Sequence, residues 1–429
     1  MKIAFVGGGI TSLTAALLLS QKGHLVTVFE KENALGGLAS GFKAPKWNWS
    51  LERYYHHFFD SDQELKNLAA KLGLSDKLFF KKPKTSIFVE GEIFRFDDPQ
   101  SILQFPKLNF IDKIRTGVTS VFLKINPFWG PLERIPANRF INKTMGKTVN
   151  SIIWEPLLAS KFGDFAQQIP ASWFWTRIKK RSFQLGYFQG GTKTLIDCLK
   201  DKIEKNGGEI LLNKSVTQIK KKNKSFELVA DGKKVVGIFD QVIVTTSPSG
   251  LAKIVPQLSP EEKTKIEKLK SLGSLCLVLE LKDKFLVDGT YWLNINDKSF
   301  PFVAVVEHTN YIDKKHYGRN HIVYVGGYYP SSHKFFKMNK ENIFSKFLPY
   351  LKKINPYFES KSALVNLWLF KDYYSQPVVS LNYSKDLPSV KTSIDGLYWG
   401  SLHHVYPQDR GVNYAVALGR RITNEIDPL

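Results

Sequence analysis

Cysteine is scarce in this chain: Cys198 and Cys276 are the only two in 429 residues, and they form no CxxC pair. That argues against a disulfide framework or a thiolate-held metal and fits a reducing cytoplasm. Histidine pairs occur at His56-His57 and His403-His404, but adjacent residues do not share a helix face, so no metal site is expected. Long apolar runs are missing too. The N-terminal apolar stretch is broken by Gly7, Gly8 and Gly9 and carries no cleavage-site pattern. It therefore reads as a first strand rather than a signal peptide, and nothing else approaches a spanning helix. Acidic residues are few, 39 against 61 lysines and arginines, for a formal net charge of +22. The basic clusters at 77–84, 179–181 and 220–224 are scattered, and no nucleic-acid motif accompanies them, so nucleic acid is not an expected partner. Lysine spread over solvated faces, an anionic membrane surface and a phosphorylated substrate remain open.

What is present begins at once. Lys2–Val6 is a short apolar run, Gly7-Gly8-Gly9 breaks it, 11–22 has helical apolar spacing, and Leu25–Phe29 makes a second strand followed by Glu30. This is strand, turn, helix, strand with an acidic residue at the right distance, the dinucleotide-binding pattern. Gly7 allows the tight turn. Gly9 lets the backbone approach a pyrophosphate lying on the helix start at Ile10 and Thr11, where free N–H groups favour anions. Ser12 stands at the third glycine of the fingerprint and is still small. Glu30, with Lys31 beside it, would accept hydrogen bonds from a ribose diol and repel a 2′-phosphate. A second glycine pair, Gly36-Gly37 before Leu38, follows in "EKENALGGLAS", and a nicotinamide dehydrogenase has no need of it. The length predicts two domains or two interleaved lobes.

That second stretch closely resembles the signature of the FAD-dependent amine oxidase superfamily, which includes protoporphyrinogen oxidases and phytoene desaturases. The resemblance runs through most of the chain. "LERYYHHFFDSD" is similar to the family segment that crosses the flavin, with His56 and Phe58 in matching places. "SIFVEGEIFRF" predicts a hairpin around Gly91, and the amphipathic 151–181 stretch resembles a lobe covering a substrate chamber. "LGYFQGGTKTLIDCLKDKIEKNGGEILLNKSVTQI" resembles the return to the cofactor unit, with Val216 where the family packs backbone against adenine. "FDQVIVTTSP" reads as a buried parallel strand ending near the pyrophosphate at Thr245 and Thr246. "GLYWGSLHHVYPQDRGVNYAVALGRRI" predicts strand, loop and a helix from about Gly411, whose first turn would face the flavin. Gly400-Ser401 stands where the family has Gly-Asp or Gly-Glu, and Asp409, Arg410, Gly411, Val412 and Asn413 are expected near the cofactor.

The resemblance therefore implies an α/β protein with a Rossmann-like FAD-binding domain interleaved with a mixed-sheet substrate domain and a helical lobe. FAD-binding parts are expected at 1–80, 186–250 and 391–429, the hairpin and helical lobe at 81–185, and the substrate-domain sheet at 251–390. Tyr55, His56 and His57 are expected to wall the chamber. Trp292, Glu307, His308 and Asn310 form a second set, and Trp368, Tyr373, Tyr374 and Gln376 a third. Of these, His56, His57, Glu307, His308 and Asn310 are the candidates for catalysis, although none is singled out as a general base. The implied reaction is hydride removal from a bulky, partly apolar small molecule. UDP-galactopyranose mutases are the competing resemblance, through "PFVAVVEHTNY" and "YPQDRG", but Ala304 stands where that family has a diphosphate-clamping arginine. A flavin-binding module without catalysis is the third class.

Overall fold

The computed structural model describes residues 1–232 and 234–428. Its first layer is a five-stranded sheet in the order Glu209–Leu211, Leu25–Phe29, Lys2–Val6, Gln241–Val244, Leu397–Trp399, with every pairing parallel. The register decides what this sheet can do. Val6 lies opposite Phe29 on one side and Val244 on the other, and Val244 lies opposite Trp399. The next residues, Gly7, Glu30, Thr245 and Gly400, therefore leave the sheet together at its C-terminal edge. Open parallel sheets bind ligands at that edge. The helix Ile10–Gln21 packs beneath it between the helices Lys193–Lys205 and Val412–Ile426, which is why it is buried almost all round rather than along one stripe.

The second layer is a seven-stranded mixed sheet, ordered Leu364–Val378, Lys270–Leu281, His321–Tyr329, Ala304–Glu307, Thr290–Ile295, Lys84–Val89, Glu92–Arg95. Side chains alternate between its faces with the period of two that a pleated strand imposes. Leu275, Leu277, Leu279 and Leu281 enter one core with Phe347 and Leu351 of the helix Lys340–Ile354. Cys276 and Val278 enter another, with Tyr291, Tyr311, Tyr317 and Tyr324. The hairpin expected around Gly91 is present, Lys84–Val89 against Glu92–Arg95, with Glu90 and Gly91 both at positive φ. A group of helices over residues 99–180 forms the third region. Its last member, Ala171–Lys180, buries Trp173, Phe174 and Trp175. The mixed α/β architecture of the resemblance is thus the observed one. Among the described residues no helix is long and apolar enough to cross a membrane.

Candidate functional site

The two glycine runs meet in space. Gly36 N–H donates to Gly8 O at 2.8 Å, and Gly9 and Gly36 form a parallel bridge. Gly7 has φ +109° and Gly36 φ +105°, a region where a side chain is strained, and a Cβ on Gly7 would lie 2.7 Å from Thr245 Oγ1. A Cβ on Gly9 would meet nothing within 4 Å, and one on Gly37 would meet only Gly9 Cα at 3.5 Å. No side chain caps the helix that opens after Gly9. The result is a cradle walled by backbone, with unpartnered helix-start N–H groups of the kind that hold a phosphate. That donor set fits a dinucleotide diphosphate.

Side chains brace the cradle from behind. Glu30 is buried and accepts from Gly8 N–H at 2.6 Å and Glu32 N–H at 2.8 Å, which leaves one lone-pair direction on each oxygen for a diol. Ser12, fully buried, bonds Thr245 Oγ1 at 2.8 Å and so locks helix start to strand end where a third glycine would have allowed bare close packing. Lys31 points away, pairing with Glu32 at 3.6 Å with 72% of its side chain exposed. Leu38 is half-buried, and Val216 is buried at the start of the strand Val216–Lys222. A second uncapped helix start lies at Gly411, before Val412–Ile426.

Beside this edge several stretches of chain bring together residues expected to wall the chamber. Tyr55, His56 and His57 sit deep in the protein yet remain only half-covered, as groups facing an internal space do. Tyr55 and His57 both meet Trp292 edge-on, at 4.8 and 5.3 Å between ring centroids. His56 Nδ1 donates to Tyr54 O at 2.6 Å, and His57 Nδ1 lies 3.3 Å from Tyr291 OH. Burial lowers both imidazoles, His56 to about 4 and His57 to about 3, so both are neutral near pH 7. Nearby cations add to the fall: Arg410 at His56, and Arg181 and Arg177 at His57.

A cationic group adjoins this aromatic one through Tyr328, which is in reach of both Tyr55 and Arg410. Lys161 pairs with Asp409 at 2.5 Å and lies 5.1 Å from the centroid of the Trp173 ring, and Arg177 lies 5.5 Å from the centroid of the same ring. Arg410 lies 4.9 Å from the Tyr328 ring centroid, donates to Tyr328 OH, and reaches Ser375 O at 3.0 Å. Burial would raise the Asp409 carboxyl, but Lys161, Arg410 and Arg177 together hold it well below the usual range. Burial lowers Lys161 to about 8 against the pull of Asp409, with Arg177 and Arg410 contributing to the fall. The pair is unequal: the carboxylate stays ionised, and the ammonium holds its proton loosely. Arg181 follows the end of the same helix, is exposed, and lies near enough to act on His57, and the Arg177 Nε has no partner among the described residues.

Several expected wall residues have other tasks. Glu307, fully buried, accepts from Phe285 N–H and Leu286 N–H, and Asn310 donates to Leu286 O at 3.1 Å and Thr290 O at 2.7 Å. Both hold the 282–290 loop, whose buried backbone groups need partners. His308 bonds Tyr317 OH at 2.8 Å inside the tyrosine cluster and is lowered by burial to about 3. Tyr373 and Tyr374 are 47% and 43% exposed, and Trp368 packs on Phe42 and Trp47. Gln376 does reach the chamber, its Nε2 lying 3.4 Å from Asp409 Oδ1. Ser401 spends its hydroxyl on a capping box with His404, and Asn413 accepts from Leu65 N–H at 3.0 Å. The Ser401 hydroxyl is thus committed locally, whereas Asn413 commits its Oδ1 but not its Nδ2.

Lys161, Arg177, Arg181 and Tyr328 were absent from the expected site. A usable signal existed for one of them. Trp173 and Arg177 are four apart in an apolar helix, so Arg177 shares the face of a large aromatic ring rather than a solvated one.

Comparison with known proteins agrees with this geometry. The family model described as flavin containing amine oxidoreductase matches residues 13–426. A 15-cis-phytoene desaturase of Narcissus pseudonarcissus is 32% identical over 104 residues, which are 23% of this chain but only 18% of that protein. The chain thus matches less than a fifth of that relative's length. Two solved structures share the fold. One is a candidate protoporphyrinogen oxidase from Exiguobacterium sp. 255-15 (TM-score 0.77, 18% identity, 99% of this chain and 98% of that one). The other is a reduced UDP-galactopyranose mutase (TM-score 0.77, 14% identity, 99% and 95%). At such identities the likeness speaks for the fold alone. The family match covers nearly the whole sequence, beginning just after the first helix start and including the second glycine pair at Gly36-Gly37 and the returning C-terminal helix: the chain belongs to the flavin containing amine oxidoreductase family.

Proposed function

We propose that the protein is an FAD-dependent oxidoreductase that takes a hydride from a bulky, partly apolar substrate bearing an acidic group. Bound FAD supplies the hydride acceptor. Gly7, Gly9, Gly36 and Gly37 with the N–H groups of Ile10, Thr11 and Ser12 would hold its diphosphate, Glu30 its ribose, and the uncapped helix start at Gly411 and Val412 would favour negative charge on the ring. In this reading segments 1–80, 186–250 and 391–429 form the cofactor domain, 81–185 the hairpin and helical lobe, and 251–390 the substrate sheet.

The observation that carries the substrate class is the group of Lys161, Arg177 and Arg410 around Asp409, adjoining the aromatic group of Tyr55, His57 and Trp292 through Tyr328. A protonated amine would meet like charge there. A pure hydrocarbon would strip water from cations and give nothing back. A molecule with an apolar body and a carboxylate or phosphate satisfies both groups. Neutral His56 and His57 position such a body without adding charge, and Lys161 is the group best placed to give or take a proton near neutral pH. We drop Glu307 and His308 from the catalytic set because Glu307 accepts from two loop N–H groups and His308 bonds the Tyr317 hydroxyl, and we keep Asn310, whose buried Oδ1 has no partner among the described residues. We also include in the reading a peripheral contact of region 105–181 with an anionic membrane.

The test mixes oxidised holo-protein anaerobically with amines, a polyene, a porphyrinogen, and apolar carboxylates and phosphates. Flavin bleaching by the acidic apolar compounds, weakened about ten-fold or more in apparent affinity by Arg177→Gln, is expected. Bleaching by amines alone, or by nothing in the panel, overturns the proposal. The cationic wall also favours a second reading, a sugar isomerase of the mutase type. Against it, Ala304 is buried within its strand, paired with Gly326 and Asn294, and offers no clamp. Furanose formed from UDP-galactose by dithionite-reduced protein, with no substrate oxidation, would select that reading.

A further inference from the structure

The helix Phe110–Ile125 is built inside out. Its buried residues are Asp112, Thr116, Thr119 and Leu123, three of them polar. Its exposed residues include Phe110, Ile111 and Ile114, then Val118, Val121, Phe122 and Ile125, from 48% to 72% exposed. At about 100° per residue these seven apolar side chains fall within an arc about 120° wide, and the four buried positions lie on the opposite side. Leu103 before the helix and Phe128 after it are also exposed, at 58% and 72%. A helix whose only neighbours are protein and water turns its apolar stripe inward. Here the polar stripe packs against the protein and the apolar one faces out, so the outer face is built to be covered.

Charge names the cover. Between residues 99 and 130 the one carboxylate is Asp112, which is buried, while Lys107, Lys113, Arg115 and Lys124 are the cations. Lys124 Nζ also reaches Arg181 O at 2.5 Å, which brings the basic 179–181 run and the exposed Phe183 to the helix's C-terminal end. An apolar ridge rimmed by cations matches the boundary of an anionic bilayer, where acyl chains accept the ridge and headgroups the lysines. A second copy of this chain would set those same cations against one another, with a net charge of +22 on each.

We propose that this face docks the protein on an anionic lipid surface, with the 16-residue helix lying in the interface plane rather than crossing the bilayer. The mount is firm. Trp175 Nε1 donates to Asn126 O at 2.9 Å and Lys179 Nζ to Lys124 O at 2.9 Å, tying the helix to Ala171–Lys180. Trp173 and Arg177, on the opposite side of that second helix, reach Lys161 in the chamber. The lipid face and the cationic chamber wall are therefore two sides of one helix pair. The docking deepens the membrane contact of the proposed function but needs no redox chemistry.

The experiment floats holo-protein with vesicles of phosphatidylcholine alone or mixed with phosphatidylglycerol, and compares wild type with Ile114→Ser/Val118→Ser/Phe122→Ser. All three positions are exposed, so the variant is expected to keep its FAD content and melting temperature. Wild type is expected to float with the mixed vesicles, less so at high salt, and the variant to bind at least about ten-fold more weakly. Equal flotation of the two proteins overturns the proposal. So does a wild type that binds no vesicle and sediments as a dimer while the variant is monomeric, because the cover is then a second copy. Vesicle binding without bleaching by any compound of the panel sinks the redox reading and leaves this one standing.

Discussion

The helices Ile10–Gln21 and Phe110–Ile125 are both rich in apolar residues, yet the first buries nine of its twelve and the second turns seven large apolar side chains outward. The first is enclosed by a parallel sheet and two helices, so apolar residues all round its circumference find partners. The second has protein on one side only, and that side takes its polar stripe. An apolar residue thus has opposite meanings in the two helices, and what differs is the number of neighbours the topology supplies.

The largest effect that would test this comparison is at the start of the enclosed helix. Gly9→Val places a side chain in empty space, so the protein should fold with a near-normal melting temperature yet lose FAD binding by about a hundred-fold or more, since the cradle is what the valine fills. Reconstitution followed by flavin absorbance reads this directly, and retained stoichiometric FAD would remove the cradle from the account. Next comes the enclosed helix's interior. Leu13→Ala, at a fully buried position, should cost about 2–5 kcal/mol in denaturant unfolding, whereas Val118→Ala on the outward face should change stability by no more than about 0.5 kcal/mol. Similar losses at the two positions would erase the contrast.

Glu30→Ala should weaken FAD binding by about 1.5–3 kcal/mol, the range of a hydrogen bond to a charged group, and also loosen the turn that Glu30 braces at Gly8. Calorimetric titration of the apo-protein measures it. The last effect is in pH, where several groups act with opposing signs. His56, His57 and His308 are lowered by burial to about 4, 3 and 3, so below about 6.5 the unfolded chain binds protons that the folded one refuses. Stability should therefore fall as pH drops from about 6.5 toward 4, by up to about 1.4 kcal/mol per pH unit for each such histidine. Asp62, raised by burial to about 6, and the buried Glu52, also raised, oppose the trend in the same window. Replacing His57 with Gln should flatten the slope, and an unchanged slope would mean that His57 is hydrated when folded.

Some of the site was readable because it is local. Gly7 to Glu30 spans one strand–helix–strand unit whose conformation depends on near neighbours, so residue type and spacing specify it. Elsewhere residue type says less. Glu307, His308 and Asn310 follow an apolar strand as site residues do, and only the fold shows that Glu307 and the Asn310 Nδ2 hold the 282–290 loop and that His308 bonds the Tyr317 hydroxyl.

The sequence by itself determined the nucleotide-binding unit, the hairpin at Gly91 and the returning terminal helix, because turns, caps and short apolar periods act within a few residues of each other. Only the tertiary structure decided that Tyr55, Lys161, Arg177, Trp292 and Asp409 share one chamber and that Phe110–Ile125 faces outward. Lys161 and Asp409 are 248 positions apart. Their meeting follows from strand register and from which elements cover which faces, and neither is written in the residues that meet.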